Sequence, residues 1–143
     1  MSDDGSSWQD QRRAAAAEHA AAFERRKAQE AQQARAIVAD FVREAKERGL
    51  RPTALSARGY DGRARYRTGL EGWYVRRDGS LAVGTDGEFY LLTVPTSLRA
   101  RFTGVEVHPD DPPLVVGAGG RDGESMPLGT LLRQRLDAGD DWP

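Results

Sequence analysis

"EGWYVRRDGSLAVGTDGEFYLLTV", Glu71 to Val94, decides how this 143-residue chain is read. Three short runs rich in aromatic and β-branched residues are separated by Asp78-Gly79 and Asp86-Gly87. Asp-Gly in a two-residue loop tolerates the positive φ of a tight hairpin, so the pattern predicts an antiparallel three-stranded meander over 71–94. Upstream, Asp61-Gly62 is placed to join an earlier, weaker strand to "RARYRT" at 63–68. Downstream, Thr96 to Thr103 reads as one or two helical turns ended by Gly104. "GVEVH" and "PLVVG", around "PDDPP", then read as a strand hairpin over 105–117. Pro127 to Leu136 sets Leu128, Leu131, Leu132 and Leu136 on one helical face.

Toward the N-terminus the period changes. From Trp8 to Arg48 no glycine or proline interrupts a run dominated by strong helix formers, which predicts one long helix over 8–49. Ser6 with Gln9 fits a capping box, and Gly49, Leu50 and Pro52 supply a C-cap, its apolar contact and a stop. The second half carries an apolar stripe of Ala34, Ile37, Val38, Phe41, Val42 and Ala45, the mark of a helix docked on a core. The first half is mostly alanine with a lone Phe23. Running the heptad of the docked half backwards puts Lys27 and Glu24 in the seam, so a sustained coiled coil is not encoded. A helix of this length spans roughly 60 Å, against a radius of gyration of ~13 Å for a small domain. Part of it must overhang, and that overhang is a candidate surface for a homo-oligomer.

The expected fold is therefore α+β. The long N-terminal helix packs through its C-terminal half on a small antiparallel sheet, and a short C-terminal helix completes the core. Residues 1–7 and 139–143 are expected to be unstructured, with the sheet and C-terminal helix occupying 53–138. Cysteine is absent, which removes disulfides and thiolate chemistry. The polar, acidic start lacks a secretory pattern and no run is long and apolar enough to span a bilayer, so a cytoplasmic protein with no membrane partner is expected. The usage of arginine, alanine and aspartate suggests a GC-rich bacterial genome.

Chemistry-bearing motifs are scarce. "LVVGAGGRDGES" has the order of a dinucleotide fingerprint, but Asp122 follows Gly117, Gly119, Gly120 and Arg121 where a close helix approach is needed, and no second parallel strand follows. A flexible loop is the expected reading. His19 sits on the alanine helix, and His108 with Asp110 and Asp111 lacks a second histidine nearby. No catalytic residue, metal ligand or cofactor is nominated, and the balance leans away from an enzyme.

The arginines are what remains unexplained. Net charge is −1, yet the segments 1–50, 51–105 and 106–143 balance at 0, +4 and −5. Arg58, Arg63, Arg65, Arg67, Arg76 and Arg77 interleave with Tyr60, Tyr66, Trp73 and Tyr74. In an extended strand Arg63, Arg65 and Arg67 share one face. Either the acidic C-terminal segment covers them, or an external anion does. The first expectation for function is a non-enzymatic interaction or adaptor module, binding a protein partner through the helical overhang and this arginine-aromatic face. The alternative is single-stranded nucleic acid or another polyanion, held by charge and stacking. A small enzyme with a dispersed site comes last.

Overall fold

The computed structural model describes residues 3–117 and 125–142. Helix α1 runs Asp3–Glu47, so it begins inside the segment expected to be unstructured. Its C-terminus is locked by a Schellman pair. Leu50 N–H donates to Ala45 O at 2.9 Å and Gly49 N–H to Lys46 O at 3.1 Å. Leu50 and Ala45 then share the core, the apolar contact such caps carry. Ala34, Val38, Phe41, Val42 and Ala45 are buried and Ile37 packs against them, whereas residues 7–21 and 23–30 are exposed throughout. The helix thus docks by its second half.

Strands β1 (Thr53–Gly59), β2 (Arg65–Tyr74), β3 (Leu81–Gly84), β4 (Phe89–Leu91) and β5 (Thr93–Val94) form one sheet in the order β4-β3-β2-β1-β5. The meander β2-β3-β4 is antiparallel as the Asp-Gly turns require, and β1 joins β2 as an antiparallel hairpin. "RYRT" and "EGWY" prove to be parts of one long strand, with a register shift opposite Ala54 to Ser56. β5 pairs with β1 in parallel, so the sheet is mixed. β4 and β5 lie at opposite edges, yet only Leu92 separates them in sequence. Leu92 N–H donates to Ser80 O at 2.8 Å, and its carbonyl accepts from Arg58 N–H at 2.6 Å. The sheet therefore curls until its edges meet at one residue.

Curling gives the sheet two buried faces. Trp73, Val75, Leu81, Val83 and Phe89 pack against α1 and the C-terminal helix α3 (Leu128–Ala138), while Leu55, Ala82, Tyr90 and Leu92 form a second cluster. All four residues of β3 are buried for that reason. Phe41 meets Trp73 edge to face, with centroids 5.8 Å apart and an interplanar angle of 86°, and Trp73 Nε1 donates to Leu50 O at 3.1 Å. β2 and β3 approach so closely at Gly72 that a Cβ there would lie 2.2 Å from Val83 O.

The expected 105–117 hairpin takes a different form. β6 (Val115–Val116) pairs with β7 (Met126–Pro127), not with 105–108. Pro109, Pro112 and Pro113 remove ladder donors from the intervening segment. That segment instead anchors piecewise: Val105 N–H donates to Arg67 O, Val107 packs on the second cluster, and Asp110 N–H donates to Phe89 O. Asp111 pairs with Arg35 of α1. After α3 the chain makes a 3-10 turn, Gly139–Asp141, where an unstructured tail was expected. The glycine-rich stretch from Ala118 lies outside the described residues, as do the chain's first two residues and last residue. No described helix is long and apolar enough to cross a membrane.

Candidate interaction site at the arginine end of the sheet

β1 and β2 place Arg58 directly opposite Arg65, and Ser56 opposite Arg67. Like charges in facing positions of an antiparallel pair destabilise it. At ~6 Å in high dielectric the repulsion is roughly 0.7 kcal/mol per pair. Arg63 lies in the turn between the two strands and not on β2 itself. Asp61 Oδ1 accepts the N–H groups of Arg63 at 2.9 Å and Ala64 at 3.0 Å. Those bonds, Ala64's first, hold the Asp61 carboxyl below the usual range, so it stays ionised.

Short helix α2 (Ala100–Thr103) covers this end of the sheet. Ala100 is buried, Gly104 ends the helix at φ 75°, and a Cβ there would meet Arg67 O at 2.7 Å. Only glycine permits both the left-handed backbone and that approach. Arg67 Nη2 donates to Phe102 O at 3.1 Å, and Asp61 N–H donates to Thr96 Oγ1 at 3.4 Å. The β1–β2 turn and the 96–104 segment therefore form one surface. Between them lies a pocket of about 260 Å³ lined by Asp61, Arg63, Tyr66, Ser97, Leu98 and Arg101. Around it Phe102 is 81% exposed, Leu98 76% and Tyr60 69%.

The ten residues singled out in the sequence divide. Arg63, Arg65, Arg67 and Tyr60 are exposed, and Arg58 is half-buried. Arg58 Nη1 donates to Asp78 O at 2.5 Å. Tyr66 and Trp73 are each 1% exposed and belong to the interior, so neither ring is a surface stacking platform. The Tyr66 hydroxyl accepts from Ser97 N–H at 2.9 Å, and that of half-buried Tyr74 accepts from Ser56 N–H at 2.8 Å. Arg76 donates to Gly117 O. Arg77 lies 5.7 Å from the Trp142 ring, whose centroid is 5.0 Å from the guanidinium carbon of Arg135. Leu98, Arg99, Arg101 and Phe102 were missed. Their signal was a helical turn with apolar residues four apart and arginines between.

Among the described residues, acids of α3 and the turn after it pair elsewhere. Asp137 pairs with Arg48 and Asp140 with Arg51, both at the end of α1. Among the described residues no carboxylate oxygen lies within 4.0 Å of a guanidinium nitrogen of Arg58, Arg63, Arg65, Arg67, Arg99 or Arg101. Nor does any group of three metal-ligating side chains occur among them. The chain matches no protein-family model, no curated protein and no solved structure.

Proposed function

We propose that the protein is a non-enzymatic interaction module that docks an anionic macromolecular partner on the arginine end of its sheet, with the overhanging half of α1 as a second contact arm. The supporting observation is the facing pair Arg58 and Arg65, with Arg63 and Arg67 beside it, lacking a carboxylate partner among the described residues. A neighbouring anion converts that repulsion into attraction. Single-stranded nucleic acid is the second reading, favoured by the exposed rings of Tyr60 and Phe102 beside arginines.

The test replaces Arg63, Arg65 and Arg67 together by glutamine. Exposed substitutions of this kind leave stability within about ±1 kcal/mol. Binding of labelled poly-glutamate or a labelled oligothymidylate, read by fluorescence anisotropy at two salt concentrations, is expected to be lost in the variant. For the oligonucleotide the wild type should weaken with a log–log salt slope of about −2 for three neutralised phosphates. A destabilised variant with unchanged binding would return the arginines to a structural role.

A further inference from the structure

Resting on the reading above, we infer that the occupant of the pocket between the β1–β2 turn and α2 is an acidic peptide segment carrying a bulky apolar side chain, supplied by a protein partner. Leu98 and Phe102 stand almost fully in solvent beside Arg63, Arg67 and Arg101. Exposed apolar side chains ringed by arginine have the composition of an interface centre, where aromatic and arginine residues dominate binding energy. Complementarity to guanidiniums that have no carboxylate partner among the described residues sets the sign of the partner's charge.

Two features separate a peptide from a nucleic acid. Asp61 lines the same pocket, and its two backbone hydrogen bonds keep it ionised. A phosphodiester backbone brings only acceptors past that charge, whereas a peptide can turn a backbone N–H toward Asp61 while its carboxylate turns toward the arginines. Leu98, the exposed apolar wall of the pocket, is aliphatic and offers a base no stacking plane. An acidic side chain answers Arg63 and Arg101, and an apolar neighbour covers Leu98 and Phe102.

The experiment selects displayed random dodecapeptides on the immobilised full chain. A selected peptide is then titrated by anisotropy against wild type, Phe102→Ser, Leu98→Ser, the double variant Arg63→Gln/Arg101→Gln, and a twelve-nucleotide oligothymidylate competitor. Selected peptides are expected to be rich in Asp and Glu with Leu, Phe or Trp among them. Each serine variant should weaken binding about tenfold or more with its thermal midpoint unmoved, and the arginine variant should lose both affinity and salt dependence. Acidic peptides without apolar residues, insensitive to Phe102→Ser but lost with the arginines, would overturn this inference and leave the anion-docking function standing. Equal or tighter oligothymidylate binding would also overturn it, in favour of nucleic acid. No binding by any anionic probe would overturn both.

Discussion

Phe41→Ala tests whether the second half of α1 is the keystone of the domain. Phe41 is 3% exposed and its ring stands edge to face against Trp73. Emptying a buried phenylalanine position costs ~3 to 5 kcal/mol, of which ~0.5 to 1.5 kcal/mol is the aromatic pair. A cleft of about 150 Å³ beside Phe41, lined by Ile37, Leu132 and Leu136, lets water enter the vacated space, which puts the expected loss at the lower end, about 3 to 4 kcal/mol. For a chain of this size each kcal/mol moves the thermal midpoint by about 3 to 4 °C, so a fall of about 9 to 16 °C is expected. Calorimetry or thermal circular dichroism at matched concentration reads it. A double-mutant cycle with Trp73→Phe should return a coupling inside the range of the aromatic pair. An unmoved midpoint would refute the packing argument and turn the Phe41 stripe into a partner-binding face.

Beginning the chain at Ala31 should leave the unfolding free energy, read by denaturant titration, within about 1 kcal/mol of the full chain, because almost everything before it is exposed; a larger loss would place core contacts on the overhang. Gly72→Ala should abolish cooperative unfolding or lower the midpoint more than any surface change, since its Cβ must displace the Val83 carbonyl; a mild effect would disprove the close approach. Burial works against the Asp78 charge, but the Ser80 hydroxyl and N–H, helped by Arg76 and Arg58, outweigh it and hold the carboxyl below 3.8. Its contribution is complete above 3.8 and is lost as pH falls through the lower folded value. The stability difference between wild type and Asp78→Asn should therefore stay level from neutral pH to about 5 and shrink below the ordinary aspartate value. A difference that grew on acidification would reverse the assignment.

The legible parts of this fold were those where local chemistry and long-range packing agree. The docking stripe from Ala34 to Ala45, the Gly49–Leu50 cap and the Asp-Gly turns each carry their own physical instruction, and each is found in place. The curl was not legible, because β5 pairs with β1 through backbone groups that any residue supplies. The alternation of "GVEVH" reads as a strand, but Pro109, Pro112 and Pro113 withhold ladder donors from the segment that would pair with it. At the site, Arg63, Arg65 and Arg67 were visible from composition, but period-two reasoning could not say which aromatic neighbours turn inward. Tyr66 and Trp73 fill the interior because a small curled sheet needs its largest rings there. Phe102 was overlooked because a four-residue helix offers too little sequence to show that Ala100, not Phe102, faces the core.

The joint at Leu92 also orders events in time. The β1–β2 and β3–β4 hairpins bring together residues close in sequence and form early, on the microsecond scale of such elements. The bond from Arg58 N–H to Leu92 O joins segments far apart, and its loop entropy must be met before it contributes anything. Ring closure is therefore the step expected to be slow: Arg58 already faces Arg65 in the β1–β2 hairpin, and closure adds its bond to Leu92 O. A partner that needs both the β1–β2 turn and the 96–104 segment would engage only the finished ring, so its binding kinetics followed during refolding would lag hairpin formation and coincide with closure.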